Sequence, residues 1–147
     1  MIPDVGTELI NPRAGTKTVF VATRQSTAGE YLEIEVTYPP NNPPPPMHKH
    51  PTQSEHFTVL TGAIEAIVDG TQSTVAAGGE LAVPADTAHK MWATEDGVVM
   101  RWRTTPALRT GEMFCDLWRV ARDNDWQPGG MQLFEVLQNY DAEFCLC

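Results

Sequence analysis

The chain has 147 residues, of which 41% are hydrophobic and 20% charged, a composition typical of one globular domain and not of a disordered or fibrous protein. Its net charge of −9 repels phosphate backbones and anionic lipid surfaces, so neither nucleic acid nor a membrane is expected as a partner. No segment is long and apolar enough to span a bilayer, the N-terminus lacks a signal-peptide pattern, and three cysteines make no disulfide framework, so we expect a cytoplasmic protein.

Short segments rich in β-branched residues, separated by turn residues, make up most of the chain before Pro106. In the segment 31–38, apolar Leu32, Ile34 and Val36 alternate with polar residues, which is typical of a half-buried strand. A proline-rich connector follows at 39–46, and proline cannot join the interior of a sheet. Further strands are predicted at residues 17–23, 55–60, 63–68, 71–75, 81–83, 89–93 and 98–104. The pattern predicts an antiparallel sandwich or barrel over about residues 17–106.

The pattern changes after Pro106. Apolar residues recur at helical spacing between residues 111 and 124, namely Phe114, Leu117, Trp118 and Ala121. Residues 131–140 are interpreted as a second helix, with a strand as the alternative, and no structure is predicted for the tail that holds Cys145 and Cys147. We therefore expect one domain, residues 1–147, in which a helical appendage over about 107–147 closes one side of the β domain.

Three of the four histidines cluster with a glutamate in an ordered pattern. His48 and His50 alternate on one strand, so both can point into a barrel, and Glu55 can reach the same face from the following strand. His89 can supply a third imidazole from a neighbouring strand. His56 has the opposite parity to Glu55 and is interpreted as a structural or surface residue.

Three neutral imidazoles and one carboxylate form a mixed nitrogen and oxygen ligand set. This set suits one divalent transition metal ion, Fe, Mn, Ni, Cu or Zn, and is too rich in nitrogen for Mg or Ca. Four protein ligands on a six-coordinate ion leave about two positions for water, dioxygen or a substrate oxygen, which is typical of a catalytic metal.

These residues resemble the two signature motifs of the cupin superfamily. The first motif is matched by His48, His50, Glu55 and Gly62, and the second by Gly78, Pro84 and His89, all at the family spacing. Three positions depart from the pattern: Asn42 and Asp86 stand where the family has glycine, and Ala93 stands where it has asparagine. None of the three is a metal ligand in the family, and Asp86 can still adopt a left-handed turn.

The resemblance implies an all-β fold, a double-stranded β-helix (jelly-roll) cupin barrel with short C-terminal helices. The segment around His50 to Phe57 is similar to the quercetin-dioxygenase-like branch of small type-2 cupins, whose members include ring-cleaving dioxygenases, isomerases, lyases and polyketide cyclases. The family also leads us to expect a homodimer.

Apolar residues with the parity of the proposed ligands are interpreted as the lining of a substrate pocket, with ordinary core packing as the alternative for each. They are Tyr38, Phe57, Val59, Met91, Met100 and Trp102. Arg101 and Arg103 alternate with two of them and are expected to face solvent or a partner chain. Gln53, in a turn, could contact a metal-bound ligand but needs no such role.

We therefore predict a metal-dependent enzyme that acts on a small apolar, aromatic or polyketide-like molecule, with dioxygenase-type chemistry as the leading hypothesis. In that hypothesis Glu55 is catalytic, since it leaves the metal to accept the substrate's proton. A zinc-dependent cyclase or isomerase that uses the metal as a Lewis acid is the first alternative, and a non-enzymatic ligand-binding cupin is the second.

Overall fold

The computed structural model describes all 147 residues. It contains nine β-strands and two α-helices, and the helices lie between the eighth and ninth strands. The strands are β1 Glu8–Asn11, β2 Thr16–Ala22, β3 Leu32–Tyr38, β4 His48–Lys49, β5 Ser54–Val68, β6 Thr71–Ala76, β7 Glu80–Val83, β8 His89–Thr105 and β9 Cys145–Leu146. The helices are α1 Thr110–Asp123 and α2 Gly130–Leu137, the latter followed by a 3-10 turn at Gln138–Tyr140. No helix has the length and apolar composition that crossing a bilayer requires.

The two long strands β5 and β8 pair with each other along nearly their whole length and organise the barrel. On its other edge, β5 pairs first with β7 and then with β6, while β8 pairs with β3 and, at its first residue, with β4. Every pairing is antiparallel, and β1 extends the sheet beyond β2. The result is the jelly-roll architecture that the resemblance implies.

The β5–β8 ladder closes on itself. Glu55 pairs with Thr104 at one end of this ladder, and Val68 pairs with His89 at the other. Nevertheless, Nε2 of His89 lies 2.8 Å from Oε1 of Glu55. The winding of two strands therefore brings together residues from opposite ends of one ladder.

Two glycines, one in each long strand, lie against each other where the ladder changes register. Gly62 has a φ of +74° and Gly97 a φ of +67°, in the left-handed region that favours glycine. A Cβ on Gly62 would lie 2.0 Å from the carbonyl oxygen of Gly97. The glycine of the first motif is thus required by a close approach of two backbones.

The core consists of inward-facing side chains that alternate along these strands, as the period of two predicts. From β3 it receives Leu32, Ile34 and Val36, each at most 2% exposed. Outward-facing Arg101 forms ion pairs with Glu33 and Glu35. Arg103 pairs with Glu33 and stacks on the ring of Tyr31, which confirms that both arginines lie on the outer face.

The predicted strands are present in the structure, but two of the observed strands were each predicted as two shorter ones. The segments predicted at 55–60 and 63–68 are halves of β5, and those predicted at 89–93 and 98–104 are halves of β8. A bulged strand bends without ending, because the ladder hydrogen bonds resume after the irregular residues. Strand β1 lies outside the predicted barrel range and was not predicted.

Both C-terminal helices are present within a few residues of their predicted bounds, but the tail after them is not irregular. Cys145 and Leu146 form β9, which pairs with β4 and so adds a strand beside the first motif. So short an edge strand carries too few residues for a periodic signal in the sequence. Its position brings the C-terminus to the candidate site.

Replacing Gly62 by alanine is expected to lower the free energy of unfolding by about 3 kcal/mol or more, because a backbone clash adds to the cost of a positive φ. Gly70→Ala is the control, since Gly70 has a φ of +79° but open space around its Cβ position. It should lose only about 1 kcal/mol. Urea unfolding measures both, and equal losses would contradict the close approach of β5 and β8.

Candidate metal centre

Four buried polar side chains meet at one end of the barrel. His48 lies on β4, His50 follows it, Glu55 lies near the start of β5, and His89 begins β8. All four are at most 7% exposed. The ligand nitrogens of the three histidines lie within 4.8 Å of one another, so these residues can hold a metal ion.

Each of the three imidazoles is oriented by a backbone carbonyl. Nδ1 of His48 lies 2.9 Å from the oxygen of Pro46, and Nδ1 of His89 lies 2.8 Å from that of Thr87. Nδ1 of His50 lies 2.7 Å from the oxygen of Glu143. A carbonyl only accepts, so each Nδ1 carries a proton, and each Nε2 is left to face the cluster.

The Glu55 carboxylate lies against two of these rings. Its Oε1 is 2.8 Å from Nε2 of His89 and 2.9 Å from Nε2 of His50. The contact with His50 lacks the alignment of a hydrogen bond, and Nε2 of His50 is a buried polar atom with no partner. An unsatisfied nitrogen of this kind fits a metal ligand, because a cation would satisfy it.

Trp102 fixes the other oxygen of the carboxylate. Its Nε1–H donates to Oε2 of Glu55 at 2.5 Å, and its indole packs against Phe57 and Phe114. Oε1 is thereby turned toward the imidazoles. The sequence placed Trp102 in the pocket lining, but its hydrogen bond to the predicted ligand could not be seen from parity alone.

The electrostatics of the cluster keep Glu55 ionised and His48 neutral. Burial lowers the pKa of His48 to about 4, so its imidazole is uncharged near neutral pH. Burial opposes ionisation of Glu55, but its contacts with His50 and His89 outweigh that effect and hold its pKa at about 2. Burial likewise opposes protonation of His50, yet the carboxylate raises its pKa. An ionised carboxylate that stabilises a proton on the neighbouring imidazole would stabilise a divalent cation in the same place.

The C-terminal segment, residues 141–147, covers the cluster. Phe144 stacks on His48, with ring centroids 4.6 Å apart and planes 18° apart, and meets the edge of His50 at 6.1 Å. The carbonyl that orients His50 belongs to Glu143 in the same segment. The sequence offered no sign of this contact, since 93 residues separate the two partners.

The six residues predicted to line a pocket lie in or against the core. Phe57, Val59 and Met100 are at most 1% exposed, and Met91 is 9% exposed. Tyr38 and Trp102 are partly buried and pack against the hydrophobic core. Burial raises the pKa of Tyr38 to about 12, and the negative charge of Glu55 adds to the shift. The role of these residues toward a substrate stays a prediction.

The departures from the family motifs have structural explanations. Asp86 has a φ of +58°, the left-handed conformation expected at a glycine position, and its carboxylate pairs with Lys49 at 2.9 Å. Asn42 accepts the backbone N–H of Ala93 at 2.6 Å. Two of the departures therefore contact each other. Gln53 is 1% exposed and donates to Pro106, Ala107 and Thr110, so it anchors the start of α1.

Comparison with known proteins agrees with this architecture. Residues 34–105 match the family model described as Cupin domain. No curated protein gives a significant match. Among solved structures, the chain is similar to an RmlC-like cupin from Shewanella frigidimarina, with a TM-score of 0.60 and 20% identity, covering 71% of this chain and 87% of that one.

Two further solved structures are similar to this chain. One is KdgF from Halomonas sp., with a TM-score of 0.57 and 18% identity, covering 66% of this chain and 84% of that one. The other is a predicted oxalate decarboxylase from Thermotoga maritima, with a TM-score of 0.57 and 16% identity, covering 63% and 81%. At these identities the likeness shows the fold alone.

Removing a ligand should remove the metal without unfolding the barrel. His50→Ala and Glu55→Ala are each expected to lower the affinity for Co²⁺ by about 100-fold or more, because each deletes a group that faces the centre. His56→Ala is the control, since His56 lies on the outer face of β5 and is exposed. Titration calorimetry gives the affinities and circular dichroism the strand content. Undiminished Co²⁺ binding in both variants would contradict the ligand assignment.

Trp102→Phe tests whether the hydrogen bond from Trp102 positions the Glu55 carboxylate. The variant keeps an aromatic ring but loses the N–H that holds Oε2 of Glu55, so Co²⁺ affinity should fall about 10-fold. Trp118→Phe is the matched control, because the Trp118 indole donates to the carbonyl of Ile10, away from the site. If both variants bind Co²⁺ as the parent does, the tryptophan does not position Glu55.

Proposed function

Because this chain belongs to the cupin superfamily, we propose that it is a metal-dependent enzyme. In this proposal His48, His50, His89 and Glu55 hold one divalent transition metal ion, and the substrate is a small, largely apolar or aromatic molecule. Dioxygenase-type chemistry is the leading form of the proposal. It rests on the ligand set and on the environment of the site.

The observation that carries the proposal is the shared orientation of three imidazoles. Each uses Nδ1 for a backbone carbonyl and turns Nε2 to a common centre. Nε2 of His50 is buried without a hydrogen-bond partner, which is costly unless a cation or a proton joins it to the neighbouring carboxylate. A structural role for the histidines would not require all three to adopt this tautomer.

The reaction depends on which ion the site holds. A redox-active ion such as Fe, Mn, Ni or Cu would supply chemistry with dioxygen, whereas Zn would act as a Lewis acid. The imidazole set accepts all of these ions. The metal must therefore be identified by measurement.

The residues of the chain contribute acid–base and positioning functions. Oε2 of Glu55 accepts the Trp102 N–H and Oε1 faces the imidazoles, so Oε1 would accept a proton from a substrate hydroxyl once Glu55 leaves the metal. Tyr38 keeps its phenol proton, since burial raises its pKa to about 12. Phe144 supplies an aromatic surface over the imidazoles that favours an apolar or aromatic substrate.

The direction of approach follows from the packing. Phe57, Val59 and Met100 are fully buried in the hydrophobic core of the barrel. Phe144 stacks on His48 and is only partly buried. We therefore place substrate entry at the C-terminal segment. The homodimer and the cytoplasmic location stay predictions.

Metal content and oxygen uptake test the proposal together. Protein purified without chelator or nickel resin should contain about one Fe, Mn, Ni or Cu per chain and should consume dioxygen with a flavonol or a diketone. The His89→Ala variant, which lacks one ligand, should do neither. If the protein contains zinc and consumes no dioxygen, the result would contradict the oxygenase form of the proposal and favour a cyclase or isomerase. Absence of any transition metal would contradict the proposal and favour a ligand-binding protein.

A further inference from the structure

We propose that the segment Glu143–Cys147 is a latch, here called the C-terminal latch, that closes the metal site and controls the exchange of its ion and ligands. The inference rests on the proposed function, because the C-terminal latch contacts two of the proposed ligands. It extends that function by assigning Glu143 as a positioning residue for His50 and Phe144 as the cover of the site.

The first contact fixes a ligand. The backbone oxygen of Glu143 accepts the Nδ1–H of His50 at 2.7 Å. The corresponding acceptors for His48 and His89 lie two residues from the histidine they orient, on Pro46 and Thr87. Only His50 therefore depends on a distant segment for its orientation. Moving the C-terminal latch removes the Nδ1 acceptor of His50 and leaves those of His48 and His89 in place.

The second contact covers the cluster. The ring of Phe144 is nearly parallel to that of His48 at a centroid distance of 4.6 Å. A ring in this position excludes water and ligands from that side of the imidazoles. Backbone pairing holds it there, since Leu146 pairs with His48 and the N–H of Cys147 donates to the carbonyl of Met47 at 3.1 Å.

The C-terminal latch is anchored to α1 and the residues before it. The carboxylate of Glu143, 2% exposed, accepts the backbone N–H of Arg109 at 3.3 Å and lies 3.4 Å from its guanidinium. The guanidinium also donates to the carbonyl of Asn139 and lies over the ring of Tyr140. Tyr140 in turn donates its hydroxyl proton to Asp116. One arginine thus joins the helix to the residue that orients His50.

The C-terminal latch can open without unfolding the barrel. Strand β9 has two residues and lies at the edge of its sheet, and both Leu146 and Cys147 are exposed. Short edge strands with few buried apolar contacts open at low free-energy cost compared with the core. The side chains behind the cluster belong to the main core and stay packed.

The test compares the release of Co²⁺ to excess EDTA from the 147-residue chain and from three variants. They are a chain that ends at Ala142, Phe144→Ala and Arg109→Met. Each should release Co²⁺ about 10-fold faster or more, because ligand orientation or cover is lost. Arg109→Lys should restore part of the slow release. Phe134→Ala and Arg122→Met are matched controls, an exposed phenylalanine on α2 and an arginine of α1 that pairs with Asp123 outside the anchor, and should stay within about twofold of the parent.

A second measurement needs no metal. The Nδ1–H proton of His50 should exchange slowly with water in the metal-free parent and in Phe144→Ala, which keeps the Glu143 carbonyl. In the chain that ends at Ala142 it should exchange quickly. Nitrogen-15 NMR of labelled histidine measures this proton. If the shortened chain does not fold, Phe144→Ala and Arg109→Met carry the release test alone.

The outcomes separate the two proposals. A parent protein that binds no Co²⁺ would contradict the proposed function, and the His50 proton would still test the contact with Glu143. A parent that binds Co²⁺, with unchanged release from all folded variants, would overturn the latch while leaving the metal site intact. Faster release from the variants, with unchanged controls, would support it.

Discussion

The site depends on the winding of β5 and β8 around each other, which the paired glycines Gly62 and Gly97 permit. The two backbones make a close approach at these residues, where the ladder changes register. Glu55 from one end of the ladder meets His89 from the other at 2.8 Å. The glycine of the first motif thus serves the geometry of the site from a distance.

The barrel then gives each metal-binding histidine a defined orientation through a backbone carbonyl. Two of the three histidines use carbonyls of their own loops, and the third uses a carbonyl of the C-terminal segment. This arrangement fixes the tautomer of all three rings before any ion is bound, so that less ordering remains to be done on binding. The negative charge of Glu55, supported by Trp102, provides the electrostatic attraction.

Much of the fold and of the cluster could be predicted because the relevant signals are local. Alternation of Leu32, Ile34 and Val36 predicts an inward face, and the parity of His48 and His50 predicts their common direction. The bend at Gly62 appeared instead as a strand boundary, because a bulge and a chain break look alike in sequence. The left-handed turn at Asp86 was expected, since aspartate tolerates that conformation. The contact of Asn42 with Ala93 could not be expected, because it joins a side chain to a backbone N–H across 51 residues.

The part that sequence could not reveal is the C-terminal cover. Glu143 and Phe144 carry no motif, and a carbonyl acceptor leaves no mark on residue type. X-ray absorption at the zinc edge of the zinc-loaded protein tests the central claim most directly. The account predicts imidazole nitrogens at about 2.0–2.1 Å from the ion, with a carboxylate or water oxygen completing the shell. Sulfur at about 2.3 Å, as Cys145 or Cys147 would give, or the absence of imidazole scattering, would contradict it.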